Sequence, residues 1–134
     1  MNANDMKKRT RLFALRVIRL AESLPKTPTA IAIRNQMLRS GPSVGANYRA
    51  ACRAKSRRDF VAKMGIVEEE ADETSFWIEL LIDVDLIKPE RVVDLLQEAD
   101  EILSIVVSSI KTARSDGAKS VSKSAIRTPQ SEIV

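Results

Sequence analysis

Apolar side chains recur at helical spacing along most of this chain. The first such stretch carries them at Phe13, Val17, Leu20, Ala21 and Leu24. Asn4 or Asp5 can cap the helix that this stripe predicts, and Pro25 ends it. A second helix is predicted to begin with Thr27 as its N-cap and Pro28 in its first turn. Its inward residues are Ile31, Ile33, Met37 and Leu38.

A Gly41-Pro42 pair interrupts the second stretch, but the apolar spacing continues beyond it at Val44, Tyr48, Ala51 and Cys52. Proline cannot donate an N–H, and its ring crowds the carbonyl four residues earlier, so we predict one helix with a kink. The letters from Gly41 to Gly45 also match G-x-S-x-G, the nucleophile elbow of hydrolases, with Ser43 as the nucleophile. Because the chain has no histidine to act as the base, we reject an elbow here.

The third helix has the most regular stripe. Ser56, three residues before Asp59, resembles a capping box and predicts its N-terminus. Its inward residues are Phe60, Met64, Val67, Ala71, Thr74, Ile78 and Leu81. Pro89 and Glu90 open the fourth helix. The apolar face of that helix comprises Val92, Leu95, Leu96, Ala99, Leu103, Val106, Val107 and Ile110.

Beyond Ala113 the helical periodicity ends in a mixture of Ser, Lys, Gly and Pro. We therefore predict one domain over residues 1–113 and a flexible C-terminal tail over residues 114–134. Four long helices with short connections predict an all-α fold, an antiparallel up-down four-helix bundle with a kinked second helix.

Composition narrows the classes of function. The absence of histidine and the single cysteine, Cys52, remove the usual zinc sites, the Cys–His nucleophile and the Ser–His–Asp triad. We expect no catalytic residue, metal or cofactor, and we expect Cys52 to be a small core residue. Charges at Arg16, Arg19 and Glu22 break the first apolar pattern, so it does not resemble a signal peptide, and no stretch is long enough to span a membrane. These features predict a cytoplasmic protein.

Charge is divided unevenly along the chain. Residues 1–63 carry 15 Lys and Arg against 3 Asp and Glu, whereas residues 64–116 carry 4 against 14. One interpretation is that the basic and acidic helices neutralise each other, within one bundle or between copies. The other is a phosphate-binding surface around the end of the second helix, formed by Arg49, Arg53, Lys55, Arg57 and Arg58. Only Tyr48 lies close enough in sequence to stack on a base, so weak sequence selectivity is expected.

The acidic third helix allows two interpretations of Glu70, Glu73 and Trp77, which follow one another at i, i+3 and i+7 beside the buried face. A carboxylate pair can perform acid–base or metal chemistry, but di-iron bundles need Glu-x-x-His pairs, which this chain lacks. We favour a structural role, in which Glu70 or Glu73 pairs with Arg39 or Arg49 and Trp77 packs at a seam.

The most distinctive stretches are RSGPSVGANYRAA, residues 39–51, and KSRRDFVAKMGIVEEEADETSFWIELL, residues 55–81. They resemble a family of small bacterial four-helix-bundle proteins, often described as 23S rRNA intervening-sequence proteins. The resemblance covers roughly residues 10–112. A related protein, the accessory variability determinant of diversity-generating retroelements, is a basic pentamer that binds a reverse transcriptase and nucleic acid.

The resemblance implies a homopentamer without enzymatic activity that acts as a binding or scaffold protein, with RNA or a reverse transcriptase as its partner. In this interpretation the bundle and its seams are held by Arg39, Asn47, Tyr48, Glu70, Glu73 and Trp77. The alternative is a purely structural self-assembling bundle that binds no nucleic acid.

Overall fold

The computed structural model describes residues 1–122, which form four helices and no strand. Helix α1 spans Ala3–Glu22, α2 spans Pro28–Cys52, α3 spans Arg57–Asp83 and α4 spans Pro89–Ser122. Helix α2 packs against α1 and α3, and α4 packs against the same two helices. The four helices therefore enclose one apolar core, with α1 and α3 at opposite corners. The antiparallel order and the kink at Pro42 remain predictions.

Side-chain caps explain where the helices begin. Thr27 accepts a hydrogen bond from the backbone N–H of Ala30, and Ser56 accepts one from Asp59, which confirms both predicted N-caps. The predicted cap of α1 was wrong, because Asn2 occupies that position. The Asn2 side chain accepts from the Asp5 N–H and the Asp5 carboxylate accepts from the Asn2 N–H, so this pair satisfies two exposed backbone donors at once.

Helix α2 runs without a break through Pro42. The Ser43 hydroxyl donates to the Arg39 carbonyl at 2.7 Å, and the Asn47 side-chain amide donates to the Ser43 carbonyl at 2.8 Å. Ser43 is thus an ordinary helical residue whose hydroxyl bonds its own helix. The strand-to-helix turn that a nucleophile elbow needs is absent here.

Helix α4 is longer than its periodicity predicted. It continues past Ala113 to Ser122, so the helical boundary was placed nine residues too early. The remaining part of the predicted tail, residues 123–134, lies outside the described residues, and its flexibility remains a prediction.

The core follows the predicted stripes most closely in α3, where all seven predicted residues are buried. In α4 the prediction was partly wrong, because Ile102 is fully buried while Leu96, Leu103 and Val107 are half-buried. Apolar residues are adjacent in pairs along this helix, so the spacing alone could not select the inner member. In α1 the buried stripe also includes Met6 and Thr10, which the prediction omitted.

Small residues bring α1 and α2 close together. A Cβ atom added to Gly41 would lie 2.7 Å from Val17 Cγ1, and one added to Gly45 would lie 3.2 Å from Thr10 Oγ1. Between α2 and α3, the buried hydroxyls of Ser40 and Thr74 are hydrogen-bonded at 2.9 Å. These contacts fix how far each pair of helices is separated and which residues face each other.

Candidate nucleic-acid interface

A groove between α1 and α2 brings together four cations that are far apart in sequence. Lys7, Lys8 and Arg11 come from α1, and Arg49 comes from α2. The groove has a volume of about 560 Å³. Its other lining residues are Ala14, Pro42, Gly45 and Ala46. The site therefore has three cations on its α1 wall and one on its α2 wall, with small uncharged residues between them, and we call it the cationic groove.

Helix geometry explains this placement. Met6, Thr10 and Phe13 face the core, so Lys7, Lys8 and Arg11 lie beside the buried stripe of α1. Gly45 is only half-buried although it lies against Thr10, because it carries no side chain to fill the space between the helices. A larger residue there would raise the floor of the groove.

Ion pairing distinguishes the groove cations from their neighbour Arg9. Arg9 donates to both carboxylate oxygens of Glu98 on α4, each at 2.7 Å, and to Glu101 at 2.8 Å. The hydrogen bond to Glu98 raises the pKa of Arg9 above its usual value. Within the described part of the chain, no carboxylate pairs with any of the four groove cations. Their positive charge is consequently available to an anionic ligand.

The cations predicted from the sequence lie at the end of α2 and around the start of α3. Arg49 lies in the cationic groove, and Arg53 caps the end of α2 and is exposed. Lys55 and Arg58 are exposed on either side of the start of α3. Arg57 is half-buried, and its Cδ would be 2.7 Å from a Cβ placed on Gly117 of α4.

An acidic side chain also lies within the predicted patch. The Asp59 carboxylate accepts from Lys63 Nζ at 2.6 and 2.7 Å and from the Lys55 backbone N–H at 3.2 Å. The Lys63 ammonium, followed by the Lys55 N–H, lowers the pKa of Asp59. Asp59 thus forms an ion pair with Lys63 and receives a backbone hydrogen bond from Lys55 within the predicted patch.

Tyr48 is buried, as its place in the apolar stripe of α2 predicts, and this excludes stacking on a base. Its side chain is buried, with only 6% of its surface exposed, and burial raises the pKa of the phenol. A ring enclosed in the core cannot stack on a base. Tyr48 is therefore a core residue beneath the basic surface.

The predicted acidic cluster of α3 has its carboxylates paired. Arg39 donates to both oxygens of Glu70 at 3.4 Å and also to Glu73, and the Trp77 indole N–H donates to Glu73 at 3.0 Å. Trp77 lies edge-to-face against Phe76, with ring centroids 5.0 Å apart. The pairing with Arg39 follows one of the two alternatives proposed from the sequence. Arg49, the other predicted partner, lies in the groove instead.

Sequence reasoning missed Lys7, Lys8 and Arg11. The basic character of the first half of the chain was visible, but nothing local connects residue 8 with residue 49. Among the described residues, no three His, Cys, Asp or Glu side chains come together in a way that could hold a metal ion. No helix in that part of the chain is both long and apolar enough to cross a membrane.

These features define a small all-helical bundle with a cationic groove at one side. Residues 2–108 match the 23S rRNA-intervening sequence protein family, and the chain belongs to that family. It is also similar to a crystal structure of a protein of unknown function from the S23 ribosomal protein family of Bacteroides thetaiotaomicron VPI-5482. That match has 38% sequence identity and a TM-score of 0.77, and it covers 84% of this chain and all 100% of the other. The comparison with curated proteins found no match.

Proposed function

We propose that this protein is a non-enzymatic, cytoplasmic binding protein that holds RNA through the cationic groove. The observation that carries the proposal is the set of four cations from two helices, none paired with a described carboxylate. Membership of the 23S rRNA-intervening sequence protein family supports RNA as the nucleic acid. Arg53, Lys55 and Arg58 are also exposed and add positive charge just after the helix that carries Arg49.

The expected strength of binding follows from counterion release. Each phosphate that a cation neutralises contributes about −0.9 to the slope of log K against log salt for a duplex and about −0.7 for a single strand. Four groove contacts thus predict a slope between about −2.8 and −3.6. For the steeper value, affinity falls about 150-fold between 50 and 200 mM salt.

The test compares two double variants with the same loss of charge. Arg11→Gln/Arg49→Gln removes one cation from each wall of the groove. Arg16→Gln/Arg19→Gln removes two cations from α1 outside the groove, where they line a separate cleft that includes Asp94. RNA retention in a low-salt shift assay should weaken strongly in the first variant and little in the second. Equal retention by both variants and the unchanged protein would refute the proposal.

The second candidate function is structural self-assembly, including the predicted pentamer, and exposed apolar residues favour it. Leu12 and Leu15 on α1 are 54% and 41% exposed, and Ile66 and Phe76 on α3 are 41% and 51% exposed. The α1 pair has Lys8, Arg11, Arg16 and Arg19 around it in sequence, whereas the α3 pair has Glu69, Asp72, Glu79 and Asp83. Because α1 and α3 lie at opposite corners, contact between these two faces would join copies head to tail, which can close into a ring.

Light scattering tests the assembly. Leu12→Ser and Phe76→Ser should each lower the molar mass in solution, and moderate salt should lower it further. Val93→Ser, at a residue of α4 that is 57% exposed, is the matched control and should leave the mass unchanged. A monomeric mass for the unchanged protein would remove this candidate without affecting RNA binding.

A further inference from the structure

We infer that the ligand of the cationic groove is the phosphate backbone of base-paired RNA, and not an unpaired strand whose bases stack on the protein. This inference rests on the proposed function and specifies its ligand. Three observations carry it: the location of the aromatic residues, the chemistry of the groove lining and the division of the cations between two walls.

The first observation is that no aromatic side chain is available at the groove. The entire sequence holds three Phe, one Trp and one Tyr. Phe13, Tyr48 and Phe60 are buried, and Phe76 and Trp77 lie on α3 next to acidic residues. Proteins that bind single strands gain about 1–3 kcal/mol per base from aromatic stacking. This chain lacks that contribution at its cationic surface, so unpaired bases would gain little there.

The second observation is that the groove offers hydrogen-bond donors and no side-chain acceptor. Its polar side chains are the four cations, and its other lining residues are Ala, Pro and Gly. Lys and Arg donate only, whereas bases present both donors and acceptors on their edges. Phosphate oxygens accept only. The lining is therefore suited to phosphate oxygens, which both strands of a duplex present along the outside while their base edges are paired.

The third observation is that the cations stand on two helices with a neutral floor between them. Packed helices have axes about 8–10 Å apart, so Arg49 and the α1 cations form two separate walls. A duplex carries two rows of phosphates, with about one charge per 1.7 Å of axis, against about one per 3.4 Å for a single strand. Two cationic walls can thus contact both rows of a duplex, whereas a single strand presents only one.

Recognition of this kind depends on the shape and charge of the helix, and it is insensitive to sequence. The difference in counterion release alone favours the duplex. With four contacts, the slope of log K against log salt is about 0.8 steeper for the duplex than for the single strand. Two ligands with equal affinity at 1 M salt would therefore differ about tenfold in affinity at 50 mM, in favour of the duplex.

The experiment measures fluorescence anisotropy of a labelled 20-nucleotide RNA without self-complementarity, used alone or annealed to its complement, between 50 and 200 mM KCl. The duplex should bind at least about tenfold more tightly at 50 mM, with a slope near −3.6. A second duplex of the same length and different sequence should bind equally well. Arg11→Gln/Arg49→Gln should reduce the slope to about −1.8, and Arg16→Gln/Arg19→Gln should leave it unchanged.

The outcomes separate this inference from the proposed function. If the single strand binds as tightly as the duplex, and the Arg11→Gln/Arg49→Gln variant still weakens it, the duplex inference is wrong while RNA binding at the groove stands. A strong dependence on duplex sequence would also overturn the inference. If neither RNA binds, or if the control variant loses as much affinity as the groove variant, the proposed function itself fails.

Discussion

Gly41→Ala tests the close contact between α1 and α2, on which the groove depends. The change adds a single Cβ atom at a buried position in the middle of α2. That atom would lie 2.7 Å from Val17 Cγ1 and 3.0 Å from Val17 Cβ. Val17 is fully buried and β-branched, so its side chain has little freedom to rotate away. The helices must therefore move apart, or Val17 must leave its preferred rotamer.

The net effect combines two opposing contributions. Replacing glycine by alanine inside a helix stabilises by about 1 kcal/mol, because alanine has the higher helix propensity. Overpacking a core costs about 1–3 kcal/mol, and a contact with the rigid part of a buried valine belongs in the upper half of that range. Because a Cβ directly before Pro42 is also crowded by the proline ring, the gain from helix propensity is at most about 1 kcal/mol, and we expect the free energy of unfolding to fall by about 1–3 kcal/mol.

Gly65→Ala is the matched control, because it makes the same change in α3. A Cβ on Gly65 would meet no atom within 4 Å. This variant should gain about 1 kcal/mol, so the two variants should differ by about 2–4 kcal/mol. Urea denaturation followed by far-ultraviolet circular dichroism measures the difference, at several protein concentrations because self-association changes apparent stability.

A double-mutant cycle adds a sharper criterion. In a Val17→Ala background the 2.7 Å contact with Cγ1 is removed while the Cβ at 3.0 Å remains, so Gly41→Ala should cost less there than in the unchanged protein. If Gly41→Ala stabilises the unchanged protein as much as Gly65→Ala, or if the cycle shows no coupling between positions 17 and 41, then the contact at Gly41 is not as close as described.

Three further predictions concern polar contacts. Thr74→Val should lower the free energy of unfolding by about 1–3 kcal/mol, because it leaves the buried Ser40 hydroxyl without its partner. The double variant Ser40→Ala/Thr74→Val should lower it by less than the single change does, and urea denaturation measures both. Glu98→Gln should lower the free energy of unfolding more than Glu101→Gln does, by about 1 kcal/mol or less. The reason is that Glu98 binds Arg9 through both oxygens and its side chain is 18% exposed, against 51% for Glu101. Equal urea midpoints for the two variants would contradict this. Because the pKa of Asp59 is lowered in the folded state, its contribution to stability is fully present above the ordinary Asp pKa of about 3.9. That contribution is lost as the pH falls through the pKa of Asp59 in the folded protein. Asp59→Asn should accordingly reduce the fall in thermal midpoint between pH 5 and pH 2, and an unchanged fall would show that its contacts with Lys63 and Lys55 do not stabilise the fold.

Local features of the sequence were sufficient to predict the helices. Thr27 and Ser56 were identified as caps because a side-chain oxygen before a helical stripe satisfies backbone donors within the same turn. The stripe of α3 was predicted completely because one series of i+3 and i+4 steps joins all seven residues, even where a stripe residue has an apolar neighbour, as Val67 and Leu81 do. In α4, adjacent apolar residues left more than one possible buried stripe. At the start of α1, neighbouring polar residues left more than one possible N-cap.

The candidate site was predicted only in part, because its residues are brought together by packing. Arg49 was identified from the charge around it, but its partners Lys7, Lys8 and Arg11 lie about forty positions earlier in the chain. Tyr48 belongs to the apolar stripe that the spacing predicted in α2, but its place next to Arg49 also allowed stacking on a base, and spacing alone did not decide between the two. The packed structure shows that the ring is enclosed.

The sequence by itself determined the all-helical class, three of the four helix starts and most of the buried stripe, because periodicity and capping act within a few residues. The tertiary structure decided which cations remain without a carboxylate partner. Arg9 and Arg39 bind glutamates on α4 and α3, whereas Lys7, Lys8 and Arg11 line one groove together with Arg49. The net charge of a segment can be counted from the sequence. The electrostatic potential at a surface depends on which charges lie within a few ångströms of one another, and only the packing of the helices determines that.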